Sequence, residues 1–364
     1  MIMGRRCLAV GVIFATATAG GAGYQATTVA EGLEHPWGLA FLPEGTMLVT
    51  EHPGRLRRVG SGGTLSEPLT GVPEVYYRGQ GGLLDIVLHP DFVSNRLVYL
   101  SYSHGDASAN ATRIARGTLG DEGLDGVEVI FTTEPTKDTP QHYGGAMTFL
   151  PDGTLLLTTG DGFDYREEAQ NLGSMLGKTL RLTADGGIPE DNPFVGKGGV
   201  AAAIWTYGHR NPQGLAVDAS TGRVYLHEHG PRGGDELNLL LPGRNYGWPA
   251  VTHGKDYSGA YVSPFAELPG MEKPLMHWTP SIAPSGLALY QDDAFPEWQG
   301  DLFAGALVDR ELRRVDLEDG AVAGEQSLLS ELGERVRYVE VGPDGHLYLL
   351  TDSEEGRVLR VDRR

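Results

Sequence analysis

From Gly38 onward one arrangement recurs along the chain: an apolar run, a turn built from Pro, Asp and Gly, a second apolar run, and a polar loop. It reads GLAFLPEGTMLVTE, LLDIVLHPDFVSNRLVYLSY, AMTFLPDGTLLLTTGD, GLAVDASTGRVYLHEHG, LALYQDDAFPEWQGDLFAGAL and YVEVGPDGHLYLLTD. Apolar runs of strand length on either side of a Gly-containing turn predict β-hairpins. Six hairpins with irregular insertions between them predict an all-β chain folded as a six-bladed β-propeller, whose blades tolerate such insertions. Residues 27–31 are expected to pair with the last blade near 357–361, which closes the ring and removes two exposed sheet edges. The loops after the second strand of each hairpin then gather at one mouth of the central channel, where strands end in Glu51, Ser101, Asp161, Glu228 and Asp352. Around 167–176 the pattern loosens into one short helical piece.

Composition agrees with short strands and tight turns: 53 Gly and 22 Pro stand among abundant Val, Leu and Thr in 364 residues. The formal net charge of -19 argues against nucleic acid or an anionic membrane as partner, because a polyanion would be repelled. The opening MIMGRR, the apolar stretch from Cys7 to Ala15 and the small residues after it have the form of a secretory signal over residues 1–22. That leaves 23–364 as a single propeller domain. The apolar run is too short to span a bilayer. Cys7 is the only cysteine, so a processed chain would hold no disulfide, which is compatible with an oxidising compartment. A periplasmic or secreted location is expected.

The densest chemistry lies in 205–249, where the runs GHRNPQGL, EHGPRGGDELN and NYGWP surround short strands expected at 214–217 and 224–228. Arg210 and Asn211 sit between Gly208 and Pro212 in a loop composition. A loop-satisfying Arg and a functional one are both open at this point. Gly230 and Pro231 offer carbonyl oxygens where Pro brings no competing N–H, and Asp235 and Glu236 follow. Hard cations such as calcium take carbonyl and carboxylate oxygens together, while a solvated acidic turn has the same composition.

Elsewhere, Gln80 stands between glycines that let backbone approach a ligand. His142 precedes a strand and Asp161 ends its hairpin partner, a placement that allows a carboxylate to fix the imidazole tautomer. A solvated loop His is the competing reading. His253, Tyr257, Tyr261 and Trp278 belong to an insertion that either walls a site or packs on itself.

The order GHRNPQGL, HGPRGGDELN, GRNYGWP resembles the soluble aldose sugar dehydrogenases, quinoproteins that use pyrroloquinoline quinone (PQQ) and calcium. The similarity runs from about residue 31 to the end of the chain. It implies oxidation of an aldose to a lactone, with His142 as base, Asp161 orienting it, and Arg210 stabilising negative charge. Gln80, Arg210, Asn211, Arg335 and Arg337 are implied to bind PQQ, whose carboxylates suit the planar guanidinium fork. Gly230 and Pro231 are implied to hold calcium through their carbonyls, with Glu236 and the Tyr246 carbonyl at a second, structural ion. An external electron acceptor is required; pairing of propeller faces into a homodimer is an option that no motif marks. Two positions depart from the family: Val308 stands where a Lys is usual and Tyr338 where an Asp is usual, and both bear on cofactor affinity. A calcium-dependent lactonase and a non-catalytic binding propeller are the rival readings.

Overall fold

The structure, a computed structural model, describes residues 23–364; the expected signal segment and Cys7 lie outside the described residues. Six small antiparallel sheets form the ring, five of four strands and one of three. The innermost strands are Pro36–Phe41, Leu83–Leu88, Met147–Phe149, Pro212–Asp218, Pro284–Leu289 and Val336–Val341, so all six expected hairpins are the inner two strands of a blade. Blade 1, with three strands, falls short of the others. Closure also follows expectation: Tyr24–Leu33 pairs with Gly356–Arg363, Thr27 opposite Arg360 and Glu31 opposite Arg357.

The recurring turn has one physical basis. In blades 1, 3 and 6 the hairpin closes through Leu42 N to Thr46 O, Leu150 N to Thr154 O, and Gly342 N to His346 O, at 2.7, 2.8 and 2.8 Å. Gly45, Gly153 and Gly345 occupy the positive-φ position, at 85°, 80° and 75°, which side chains resist. Between blades the hydrophobic strands interdigitate. Tyr290, Phe295, Trp298 and Phe303 of blade 5 pack against Leu347, Leu349 and Leu359 of blade 6. Each such buried side chain contributes about 1.5–3 kcal/mol, and this packing gives the loops a rigid base.

Antiparallel pairing places the start of each inner strand beside the end of the next. Pro36 faces Glu51, Pro212 faces Glu228, and Val336 faces Thr351. All these ends converge at one mouth, around a cavity of about 480 Å³. The opposite mouth opens on a separate cavity of about 500 Å³ lined by the inner strands.

Three expectations are corrected. The helical piece expected at 167–176 is a 3-10 turn over Arg166–Gln170. Tyr338 does not line the first cavity but the opposite one, because on a strand it must face away from Arg337. Val308 lies in the turn between Leu302–Ala306 and Glu311–Glu318, 58% exposed. Arg310 shares that turn, with φ 58°, and is not among the residues lining the cavity.

Candidate active site

His142 enters the site from a loop that ends blade 2 and leads into blade 3. Its backbone φ is 51°, and Gln80 fixes that turn by accepting from His142 N–H at 2.8 Å, while Gln80 N–H donates to Pro140 O at 2.8 Å. The imidazole Nδ1 donates to Asp161 Oδ1 at 2.6 Å, which leaves Nε2 as the free lone pair of a neutral ring. Burial lowers the pKa of His142, with Arg210 and Lys137 acting in the same direction and Asp161 against them. A neutral imidazole held in one tautomer is a competent proton acceptor.

Asp161 is itself held. Its Oδ1 also accepts from Phe163 N–H at 2.8 Å, and its Oδ2 accepts from the Trp248 indole at 2.8 Å. Trp248 comes from the NYGWP run, where its role as an indole donor had no sequence signal beyond the motif. The Arg210 guanidinium lies 5.4 Å from the Trp248 ring and 5.8 Å from the Tyr257 ring, within cation–π range. One of its nitrogens donates to Gly230 O at 2.7 Å and His229 O at 3.1 Å, the other to Tyr257 Oη at 3.3 Å. Removing the indole N–H in Trp248→Phe frees one carboxylate oxygen of Asp161 while keeping an aromatic surface beneath Arg210. The expected result is a kcat about tenfold lower with little change in KM, measured by steady-state kinetics on the loaded enzyme; an unchanged kcat removes Trp248 from the chain of bonds to the base.

Arg210 and its neighbour Asn211 contribute to the walls of two different cavities. The larger is lined by Gln80, Asn211, Arg335, Arg337 and Asp352 among others. The smaller, about 290 Å³, is lined by Phe163, Trp248, Tyr257, Asp164 and Asp256 along with Arg210 itself. Phe163 meets the His142 ring edge-on at 5.1 Å, and Tyr257 stacks on Phe163 at 6.5 Å. Of the four aromatic residues in the insertion, Tyr257 therefore belongs to the site. Trp278 is buried between blades with its indole on Glu325 at 2.9 Å, His253 stacks on His277, and Tyr261 is exposed.

Arg335 and Arg337 do point the same way. Both donate to Asp352 Oδ2, at 3.0 and 2.9 Å, and His35 Nδ1 meets Oδ1 at 3.0 Å. Although burial opposes it, Arg337, His35 and Arg335 hold the Asp352 carboxyl well below its usual range. Two guanidiniums against one carboxylate leave the wall net positive. His52 Nε2, also in this wall, is buried without a hydrogen-bond partner. The cavity is thus furnished for an anionic ligand rich in acceptors, and PQQ fits that description.

Around the Gly230 turn the carboxylates divide their work. Asp235 accepts from Gly230 N–H at 2.8 Å and from Ser281, Ile282 and Ala283, so it pins the turn. Glu228 accepts from Arg210 N–H and His209 Nδ1. Burial, then the neighbouring Glu228 charge, pushes Glu236 above the usual carboxylate range. Asn238 Oδ1 beside them is buried without a partner, and Glu228, Gly230, Glu236 and Tyr246 line one small space. Crowded acidic oxygens with an orphaned amide oxygen fit a cation of the calcium type. Among the described residues no group of three or more His, Cys, Asp or Glu side chains is arranged to hold a metal, so backbone carbonyls would complete either ion's shell.

A buried imidazole held in one tautomer by a carboxylate, and a guanidinium on the wall of an aromatic cavity, suit removal of a proton and stabilisation of the negative charge left behind, as an oxidoreductase acting on a hydroxyl requires. The chain belongs to the glucose/sorbosone dehydrogenase family, which residues 33–360 match. It is 44% identical over 339 residues to the aldose sugar dehydrogenase YliI of Escherichia coli (strain K12), covering 91% of each chain. A glucose dehydrogenase crystal structure superposes with a TM-score of 0.91 at 46% identity, over 93% of this chain and 100% of that one. The PQQ-bound aldose sugar dehydrogenase of Streptomyces coelicolor superposes with a TM-score of 0.77 at 33% identity, over 94% of this chain and 99% of that one. No helix among the described residues is long and apolar enough to cross a membrane.

Proposed function

We propose that this protein is a periplasmic or secreted PQQ- and calcium-dependent aldose dehydrogenase that converts the anomeric hydroxyl of a sugar into a lactone. The observation that carries this reading is the neutral His142–Asp161 pair, its imidazole packed on Phe163 of an aromatic cavity that Arg210 also lines, with Gln80 and Asn211 on the wall of the arginine-lined cavity. PQQ, when bound, supplies a two-electron oxidant that accepts hydride from the anomeric carbon, and calcium supplies Lewis-acid polarisation.

The chain's own residues do the rest. Arg335, Arg337, Gln80, Asn211 and Arg210 hold the cofactor, and the Pro231 carbonyl is offered to calcium together with the Gly230 carbonyl, which also accepts from Arg210. The aromatic cavity of Phe163, Trp248 and Tyr257 receives the sugar ring. Nε2 of His142 takes the anomeric hydroxyl proton, and Asp161 stabilises the imidazolium that forms. Arg210 stabilises negative charge developing nearby. Glu236 and the Tyr246 carbonyl serve a structural ion. Turnover requires an external electron acceptor.

Neither rival gains support. The binding-protein reading leaned on Val308 and Tyr338, neither of which lines the arginine cavity. The lactonase reading needs several carboxylate or amide side chains converging on one ion in the substrate cavity; Asp352 there is committed to Arg335, Arg337 and His35, and the Glu228 and Glu236 carboxylates, with Asn238 beside them, gather around a separate small space.

Dye reduction by the purified, metal-stripped protein with an aldose, given calcium and PQQ separately and together, tests the proposal. Activity is expected only with both. Activity with neither, or no binding of PQQ in the presence of calcium, overturns it.

A further inference from the structure

Behind the His142–Asp161 pair lies a charged group that the proposed reaction does not use. Lys137 is 3% exposed. Its ammonium donates to Asn110 Oδ1 at 3.0 Å and Thr139 O at 2.5 Å, and lies 3.5 Å from the centre of the Tyr143 ring. Tyr143 Oη donates to the same Asn110 Oδ1 at 2.7 Å. The aliphatic stem packs on Gly162, where an added Cβ would meet Lys137 Cδ at 2.9 Å. Thr139 Oγ1 donates to Gly162 O at 2.6 Å. These contacts fasten the loop on either side of His142: Lys137 and Tyr143 to Asn110 of blade 2, and Thr139 to the residue after Asp161. No carboxylate pairs directly with the ammonium among the described residues, so its charge is left to act on its surroundings at low dielectric.

We propose that Lys137 is a positioning residue of the reaction: its buried ammonium sets the loop that carries His142 and maintains the positive potential that favours the neutral imidazole. The proposal rests on His142 being the base. The charged groups that bear on this imidazole are Asp161 from the end of the blade 3 hairpin, Arg210 from the loop before blade 4, and Lys137 from its own loop. Asp161 favours the imidazolium and the two cations oppose it. Burial draws Lys137 down to about 7, so it is charged over the acidic range in which His142 titrates. Removing it must therefore raise the His142 midpoint and move the acid limb of the rate profile to higher pH.

The test compares wild-type protein, Lys137→Met and Asn110→Asp, the last placing a counter-charge against the ammonium without emptying its space. The midpoint of His142 is followed by NMR of the full chain, its resonance assigned with His142→Gln, and the pH profile of kcat/KM is followed on the loaded enzyme. Both variants are expected to raise the NMR midpoint by on the order of one pH unit and to carry the acid limb with it. An unchanged midpoint in a folded variant overturns the proposal and leaves Lys137 a structural lysine. If Lys137→Met does not fold, Asn110→Asp decides alone. Turnover that survives in His142→Gln would overturn the base assignment instead, and the NMR midpoint would still report on Lys137.

Discussion

Replacing His142 with alanine is expected to lower kcat by about 10²- to 10⁴-fold, the range that a positioned general base contributes, with PQQ binding and folding retained. The direction of the pH dependence follows from the surroundings of the ring. The base must be neutral to accept a proton, and burial together with Arg210 and Lys137 lowers its pKa. The wild-type acid limb should accordingly lie below the ordinary histidine value of about 6.5, with activity lost as pH falls through it. The limb should be absent from the residual activity of His142→Ala. Rapid-mixing reduction of the bound cofactor by an aldose measures this step apart from reoxidation. A variant that keeps wild-type reduction rates would remove His142 from the mechanism.

The neighbouring blade supplies an internal comparison. His209 and Glu228 stand in the same relation as His142 and Asp161, each His Nδ1 bonded to a carboxylate nineteen residues on, at 2.8 and 2.6 Å. Yet His209 Nε2 is occupied by Thr206 Oγ1 at 2.8 Å, its ring stacks on Tyr246 at 4.8 Å, and it is fully buried. One copy of the arrangement is satisfied at both nitrogens; the other leaves Nε2 open beside the aromatic cavity. Local sequence does not separate them. Each His has a Thr three residues before it, but Thr206 turns to His209 Nε2 while Thr139 bonds Gly162 O, and Tyr246 reaches His209 only through the fold.

The same reasoning explains what could be read beforehand. Hairpins were legible because each is local, with an apolar run on each side and in most of them a positive-φ glycine at the turn, and ring closure was legible because an unpaired edge at one terminus predicts a partner at the other. Asp352 could be seen ending a strand at the right mouth, but its task of gathering Arg335, Arg337 and His35 joins residues up to 317 apart. Trp248 and Lys137 were opaque for a related reason: a buried indole or ammonium declares its purpose through partners such as Asp161 for Trp248 and Asn110 for Lys137, which lie far off in sequence. Tyr338 was misjudged by proximity to Arg337 in sequence, where the two-residue period of a strand sends adjacent side chains to opposite faces of the sheet, and here into different cavities.

That period also orders the second large effect. Arg335 and Arg337 share a face and an acceptor, but their side chains are 42% and 15% exposed, so water screens the first more than the second. Truncating a desolvated, hydrogen-bonded charge costs about 2–5 kcal/mol of binding. Arg337→Met is therefore expected to weaken PQQ binding about 30-fold or more, and Arg335→Met by a smaller factor that shrinks further at high salt. Fluorescence titration of the metal-loaded protein with PQQ measures both, with thermal melts to verify folding. Asp352→Asn separates charge from orientation: it makes the cavity more positive while loosening both guanidiniums. If long-range attraction dominates, that variant binds PQQ more tightly; if alignment of the guanidinium forks dominates, it binds more weakly. The shared 2.9–3.0 Å contacts to one oxygen favour alignment, so weaker binding is the expected result. Equal affinity in all three variants would place the cofactor's carboxylates elsewhere.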